Sequence, residues 1–263
     1  MAEENTIFND GDAYERLMGR WSRVAGTIFL EWLGLPNGRN WLDVGCGTGA
    51  FTDLICEHCD PIKVCAIDPS EEQIIFARTR PSRSQVDFRA ADAQDLPFDD
   101  SEFDVAAMAL VINFVADPPQ AIAEMERVVS PGGTVASYSW DFAGGRATQG
   151  PMINAIKDMG FDVPSVPGVE YSRLDKLREM FETADLENVS EREIDIQIEY
   201  PDFDDYWTSQ TGLITPAVQP ITTMSKEEVE TLQASLRERL TVNEDGLISY
   251  QASVNAIMGT VAA

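Results

Sequence analysis

Short apolar runs alternate with amphipathic helical segments through the first half of this chain, and that alternation constrains its fold more than any other feature. The runs at 40–44, 63–67, 85–89, 103–110 and 134–140 are rich in Val, Ile, Leu and Ala and read as strands. Between them, 50–59, 70–80 and 118–129 read as helices, with Ser70-Glu71-Glu72-Gln73 in the shape of a capping box. Strands joined by crossover helices make βαβ units, so the expected fold is α/β, a doubly wound and mainly parallel sheet. The run at 103–110 is nearly unbroken in apolar residues, as the centre of such a sheet requires. Ser130-Pro131-Gly132-Gly133 reads as a turn between the helix before it and the strand after it.

The flanks are less regular. Tyr14, Leu17, Met18, Trp21, Ala25, Phe29 and Trp32 recur at helical spacing, so 13–35 reads as an N-terminal helix stopped by Gly34-Leu35-Pro36-Asn37-Gly38. Beyond Trp140, helices are expected at 150–159, 172–184, 203–211 and 226–240, and strands at 189–199 and 248–257. No internal repeat, low-complexity tract or linker interrupts the pattern. The reading is one domain over 1–263, with a helix at 13–35, a core at 40–140 and later helices and strands at 141–263.

With 263 residues, 44% of them hydrophobic, the chain has ample material for a core, which excludes a wholly disordered protein. Its 19 Lys and Arg against 45 Asp and Glu give a net charge of −26. Such a surface repels nucleic-acid phosphates and anionic lipid, so nucleic-acid binding is not expected. The acidity serves solubility, with adaptation to high salt as the alternative. The longest apolar stretch, 105–116, is too short to cross a bilayer and contains Asn113, so stable membrane insertion is not expected. The N-terminus lacks the basic-then-apolar order of a signal peptide, and a cytoplasmic location is the expectation. Cys56-x-His58-Cys59, with Cys65 following, offers one short knuckle where structural zinc needs two, so no metal is expected and Cys56 and Cys65 read as small core residues. The acidic run Asp99-Asp100-Ser101-Glu102 reads as a solvated turn.

Gly45-x-Gly47-x-Gly49 joins the first strand to its helix, where glycine lets backbone approach a ligand and helix N–H groups point at it. A glycine-rich turn also serves plain strand–helix packing, and Gly45-x-Gly47-x-x-Ala50 fits a dinucleotide pattern as well. Asp43 discriminates. A carboxylate two residues before the turn repels a pyrophosphate but favours S-adenosylmethionine, which has no phosphate and carries an ammonium and a sulfonium. Asp68 closes the second strand, where an acidic side chain accepts from ribose hydroxyls in either class of ligand.

Trp41-Leu42-Asp43-Val44-Gly45-Cys46-Gly47-Thr48-Gly49 resembles the first motif of the class I S-adenosylmethionine-dependent methyltransferases. Asp68-Pro69-Ser70-Glu71-Glu72-Gln73-Ile74 resembles the family's acidic ribose loop, with Gln73 where Met is more usual. Ala91-Asp92-Ala93-Gln94-Asp95-Leu96-Pro97-Phe98 resembles its adenine loop. Phe103-Asp104-Val105 through Asp117-Pro118, and Arg127-Val128-Val129-Ser130-Pro131-Gly132-Gly133, resemble the fourth strand, its helix and the approach to the fifth strand. The resemblance covers about 40–140 and lies closest to the small-molecule, methyltransferase type 11 branch that includes the ubiquinone/menaquinone enzymes. It implies a seven-stranded Rossmann-like sheet in the order 3-2-1-4-5-7-6, strand 7 antiparallel, and S-adenosylmethionine as cofactor, leaving S-adenosylhomocysteine.

By the same resemblance, the backbone of Gly45, Cys46 and Gly47 lines the methionine part of the cofactor, and the Cys46 side chain faces it. Asp43 holds the amino group, Asp68 binds the ribose, and Pro69 and Gln73 flank the adenine. Asp92 and the Ala93 N–H meet the adenine edge, and Ala109 and Leu110 sit under the methionine. Tyr14, Arg20 and Trp21 belong to a lid, with Arg20 pairing the cofactor carboxylate. Asn113 stands in a segment where the family is His-rich; an amide is no base, so its expected role is to orient the acceptor. Trp140, Asp141, Tyr171, Tyr206 and Trp207 are the other acceptor-side candidates, and Phe142-Ala143-Gly144-Gly145-Arg146 reads as a loosely ordered gate. The implied reaction is in-line methyl transfer to a small, partly apolar acceptor. A base is needed only if the acceptor must lose a proton, with Asp141, Tyr138, Tyr171 and Glu170 as candidates. A non-catalytic S-adenosylmethionine binder, an NAD-dependent oxidoreductase and a homodimer are the alternatives left open.

Overall fold

The structure is a computed structural model that describes residues 19–79, 86–212 and 215–263. Residues 13–18 of the expected first helix and Gln85 of the expected third strand lie outside the described residues. In chain order the elements are α1 (Arg20–Leu33), β1 (Asn40–Val44), α2 (Ala50–His58), β2 (Lys63–Asp68), α3 (Glu71–Arg78), β3 (Val86–Ala90), β4 (Phe103–Ala109), α4 (Pro118–Val128) and β5 (Val129–Trp140). There follow α5 (Gly150–Asp158), α6 (Leu174–Thr183), β6 (Glu187–Tyr200), α7 (Phe203–Thr211), α8 (Lys226–Arg239), β7 (Thr241–Val242) and β8 (Ile248–Thr260). Short 3-10 turns occupy Ile112–Phe114, Val169–Ser172 and Gln219–Thr223.

The strands form one sheet in the order β3-β2-β1-β4-β5-β8-β6. β1 to β5 pair in parallel, and β8 runs antiparallel to both β5 and β6. This is the expected doubly wound order. Among the described residues the one addition to it is the two-residue β7, paired with β8, which makes the last long strand the eighth.

Strand alternation sorts the sheet into two buried faces. Trp41, Val105, Ala107, Tyr138 and Trp140 face α1, α2, α5, α7 and α8, whose Phe29, Phe51, Ile156, Tyr206 and Leu236 fill that layer. Leu42, Val44, Ala106, Met108 and Val135 face α4 and α6, with Ile122, Met125, Leu177 and Phe181. Burying a side chain of this size contributes about 1.5–3 kcal/mol, so each layer outweighs any single polar feature of the fold. Helix ends follow their local chemistry: Ser70 accepts from the Gln73 N–H, Asp117 caps α4 ahead of Pro118, and Ser225 with Glu228 forms a capping box on α8.

Two expectations are corrected. The segment 130–133 does not separate two elements; it is a bulge inside β5, where the register against β4 jumps from Phe103↔Val129 to Val105↔Thr134. Gly132 takes φ +78°, and a Cβ on Gly133 would lie 2.6 Å from the Asp104 carbonyl oxygen. The segment 142–146 is not loose either, because it winds around Asp141. The Gly144 N–H donates to Asp141 Oδ1 at 2.8 Å, the Arg146 Nε to Oδ2 at 2.7 Å, and the Ala143 N–H to Ser172 Oγ at 3.0 Å. No helix among the described residues is long and apolar enough to cross a membrane.

Candidate active site

The sheet order reverses between β1 and β4, and the crevice outside the carboxyl ends of the strands at such a point is where open α/β sheets bind ligands. The glycine loop sits there. Gly45, Gly47 and Gly49 all have positive φ, at +77°, +53° and +79°. Two of them differ in what surrounds them. A Cβ on Gly45 would lie 2.5 Å and 2.7 Å from the two methyls of Val111, so Gly45 lets the end of β4 close against the loop. A Cβ on Gly47 would meet nothing within 4 Å, so this glycine borders open space.

Asp68 ties the loop to β2. Its Oδ2 accepts from the Gly47 N–H and its Oδ1 from the Ser70 N–H, both at 2.9 Å, while the Gly45 and Cys46 N–H groups both donate to the Ile67 carbonyl at 2.8 Å. Burial raises the Asp68 carboxyl above its ordinary value, and the two N–H donors oppose that rise. Each carboxylate oxygen keeps a lone pair for a further donor such as a ribose hydroxyl. Beneath the loop Asp43 is fully buried and accepts from Thr52 Oγ1 of α2 at 2.6 Å, which joins strand to helix. The N-cap of α2, Gly49, has no side chain to cover the helix N-terminus.

The Cys46 side chain departs from expectation. It is buried and packs in a cluster with Ala66, Ile74, Ala77 and Phe88. Pro69 is exposed and Gln73 half-buried beside it. Asp92 is exposed, held by the Gln94 N–H at 2.9 Å and by the Gln94 amide, whose Oε1 accepts from the Asp117 N–H. Ala93 is buried among Leu96 and Phe98. Arg127 fastens this loop from α4 by donating to the Leu96 and Phe98 carbonyls and pairing with Glu124 and Asp100. Ala109 ends β4, and Leu110 after it has φ +62°, a left-handed turn that brings Val111 onto Gly45.

On the acceptor side the structure separates residues that the sequence grouped. Asn113 is buried with both ends of its amide engaged: Nδ2 donates to the Gly168 carbonyl at 2.7 Å and Oδ1 accepts from Ser139 Oγ. As it stands, Asn113 moors the 168–171 turn, and an acceptor would have to displace one of these bonds. Asp141 is likewise committed to Gly144 and Arg146, and Arg146 also pairs with Glu193. Tyr138 is buried against Phe29, with ring centroids 4.6 Å apart, and Glu170 is exposed. Trp140 and Tyr206 are buried, Trp207 is half-buried and stacked on Phe203, and Tyr171 is half-buried beside Gly168. Trp21, near the start of α1, is buried and donates to the Tyr200 hydroxyl at 3.3 Å. Tyr14 lies outside the described residues, and the Arg20 side chain is not described.

Thr52, Gln94, Val111, Ser139, Gly168 and Gln210 are the site-side residues that sequence reasoning passed over. Only Gln210 had an available signal, lying one helical turn after Tyr206 on the same face. His58 lies at the other end of α2 beside Leu30, Leu35 and Trp41. Burial and the neighbouring Cys56 push the Cys59 thiol up to about 11. Among the described residues no cluster of three or more His, Cys, Asp or Glu is placed to hold a metal.

Comparison with known proteins bears on this geometry. A family model described as a methyltransferase domain, type 11, matches residues 42–137, the stretch from β1 into β5. The chain is 33% identical over 144 residues to the chloroplastic 2-phytyl-1,4-beta-naphthoquinone methyltransferase of Arabidopsis thaliana, covering 51% of this chain and 55% of that protein. The chain thus spans about half the length of the curated relatives it matches. Among solved structures, the YcgJ protein of Bacillus subtilis has a TM-score of 0.60 at 19% identity, covering 93% of this chain and 99% of that one. Phosphoethanolamine N-methyltransferase 2 of Haemonchus contortus, solved with S-adenosylhomocysteine, has a TM-score of 0.59 at 15% identity, covering 96% and 57%. At these identities the structures speak for the fold, and the family match speaks for the cofactor half. Over residues 42–137 the chain matches a methyltransferase domain, and over nearly its whole length it shares the fold of solved methyltransferase structures.

Proposed function

We propose that the chain transfers a methyl group from S-adenosylmethionine to a small, partly apolar acceptor. The observation that carries this reading is the Asp68 clamp: one half-buried carboxylate bridges the Gly47 and Ser70 N–H groups beside an open glycine turn. Asp68 would accept from the ribose hydroxyls, Pro69 and Gln73 would flank the adenine, and Asp92 with the Ala93 N–H would meet its edge. Asp43 would favour the ammonium from below the loop, and the open N-terminus of α2 would favour the carboxylate. Ala109, Leu110 and the backbone of Gly45, Cys46 and Gly47 would line the methionine, with Tyr14, Arg20 and Trp21 above.

The cofactor supplies a methyl on a positively charged sulfur, and its loss leaves a neutral sulfide. This chain's residues therefore need to align the acceptor and exclude water rather than stabilise a developing ion. The buried aromatic side chains of Trp140 and Tyr206, with Trp207 and Tyr171 at the margin, support an acceptor that is apolar over most of its surface. The Arabidopsis relative, named for a prenylated naphthoquinone, supports the same class. Asn113 and Asp141 would act by holding the turns that frame the acceptor. We read residues 1–263 as one domain, cytoplasmic, acting as a monomer or homodimer. The free state of its four cysteines supports a reducing location.

Calorimetry with S-adenosylhomocysteine and NAD, followed by transfer of tritium from labelled S-adenosylmethionine to a panel of phenols and quinols, tests the reading. Binding of S-adenosylhomocysteine but not NAD, with label in the acceptor, is expected. Preference for NAD would overturn the cofactor assignment, and binding without transfer would make the chain a non-catalytic binder.

A further inference from the structure

Helix α7 places two buried polar side chains one turn apart, Tyr206 and Gln210, both without exposed surface. Gln210 Nε2 donates to the Tyr200 hydroxyl at 3.0 Å, and the same hydroxyl accepts from Trp21 Nε1 at 3.3 Å. The Tyr206 ring stands edge-on to Tyr200 and Tyr250, at centroid distances of 5.3 Å and 6.2 Å. Within this packed cluster the Tyr206 hydroxyl and Gln210 Oε1 have no hydrogen-bond partner among the described residues. Buried polar atoms are nearly always paired, and leaving two unpaired on one face is costly where Phe and Leu would fill the same space. Both side chains pack on Tyr200, Tyr206 through its ring and Gln210 through its bond to the Tyr200 hydroxyl.

The cluster also stands in the right place. Trp140, the last residue of β5, pairs with Val254, whereas Tyr250 and Tyr200 pair with Ile198 and Ile248 further along the β6–β8 ladder. They therefore extend past the carboxyl edge of the sheet, the edge that carries the glycine loop, and on the face covered by α1. Trp21, Tyr200, Phe203, Tyr206, Gln210 and Tyr250 carry no formal charge, in a chain of net charge −26. Burial raises the Tyr206 phenol above its ordinary value, so it remains a neutral donor.

We infer that Tyr206 and Gln210 determine acceptor specificity by binding a hydroxyl on an uncharged, ring-bearing acceptor. This rests on the methyl-transfer reading above. A hydroxyl can donate to Gln210 Oε1 while accepting from Tyr206, which satisfies both groups at once. A charged acceptor would have to shed its hydration to enter a buried cluster of uncharged side chains.

The test uses the full chain saturated with S-adenosylhomocysteine and titrated calorimetrically with three probes of one shape: 2-naphthol, 2-methylnaphthalene and 2-naphthoate. 2-Naphthol should bind at least tenfold more tightly than 2-methylnaphthalene, and 2-naphthoate more weakly than either. Tyr206→Phe and Gln210→Leu should each abolish the preference for 2-naphthol over 2-methylnaphthalene, with S-adenosylhomocysteine affinity unchanged. Equal binding of the hydroxyl and methyl probes, failure of 2-naphthol to bind, or a preference that survives both substitutions would overturn the inference. If Gln210→Leu fails to fold, because Tyr200 loses its donor, Tyr206→Phe decides alone. Loss of S-adenosylhomocysteine binding by the unmodified chain would instead strike the cofactor reading, and the two failures are read from separate titrations.

Discussion

Gly45→Ala offers the sharpest test of how the loop is built. Gly45 sits at φ +77°, where an L-residue costs about 1–2 kcal/mol over glycine. The new Cβ would also lie 2.5 Å, 2.7 Å and 3.0 Å from Cγ1, Cγ2 and Cβ of Val111. Rotating Val111 cannot clear it, because the Val111 Cβ is itself in the way. Crowding of this kind costs about 1–3 kcal/mol, for a combined loss of about 2–5 kcal/mol. At about 2–4 °C per kcal/mol for a domain of this size, the melting midpoint should fall by roughly 10 °C. Gly47→Ala shares only the backbone cost, about 1–2 kcal/mol, since its Cβ meets nothing. That Cβ points into the open space, so Gly47→Ala should keep most of the stability and lose S-adenosylhomocysteine affinity at least tenfold. Thermal melts and calorimetry on both variants separate the effects. Val111→Ala added to Gly45→Ala should recover about 1 kcal/mol or more relative to additivity. Equal melting of the two glycine variants, or strict additivity with Val111→Ala, would refute the packing argument.

Three further outcomes follow from the same geometry. Because burial holds the Asp68 carboxyl above its ordinary value, its ionised form is the costly one: the stability it contributes when protonated is lost as pH rises through that raised value. Affinity for S-adenosylhomocysteine should run the other way, falling as pH drops through the same value. Asp68→Asn should remove that dependence and weaken binding by about 1–3 kcal/mol, read by calorimetry across pH. Site-resolved alkylation should find Cys59 slow at pH 8 and accelerating about tenfold per pH unit until its thiolate forms near 11; fast labelling at neutral pH would contradict the burial argument. Asn113→Leu, which keeps the volume but removes the bonds to Gly168 and Ser139, should cost about 1–3 kcal/mol in denaturant unfolding, and an unchanged midpoint would show that the amide does not moor the 168–171 turn.

The parallel core was legible because each of its strands carries its own signal. Leu42, Val44, Ala106 and Met108 face one buried layer while Trp41, Val105 and Ala107 face the other, so the strands appear as unbroken apolar runs, and their shortness between breakers marks them as strands. β6 was legible for the opposite reason: Ile194, Ile196 and Ile198 are buried while Glu191, Glu193 and Asp195 are exposed, a clean period of two at a sheet edge. The bulge at 130–133 escaped because Pro and Gly report a departure from regular backbone without saying whether a strand resumes its partner beyond it. β7 escaped because two residues hold no period at all.

The site divides along the same physical line. Asp43, Asp68 and the three glycines were legible because their work is local: a loop of fixed shape needs those residue types at fixed spacing. Asn113 reaches Gly168, 55 residues away, Gln210 reaches Tyr200 from the next element, and Asp141 holds Gly144 and Arg146, the latter being also paired with Glu193 of β6. Sequence spacing carries no trace of such pairings, so an amide at position 113 could be read only against the family's usual histidine. Once the fold brings the partners together the three part company. Asn113 and Asp141 have their polar atoms matched within the chain and so frame the site, while Gln210 and Tyr206 keep one polar atom each with no match among the described residues. In a buried site, an unmatched hydrogen-bonding atom is what distinguishes a group that waits for a ligand from one that holds the protein together.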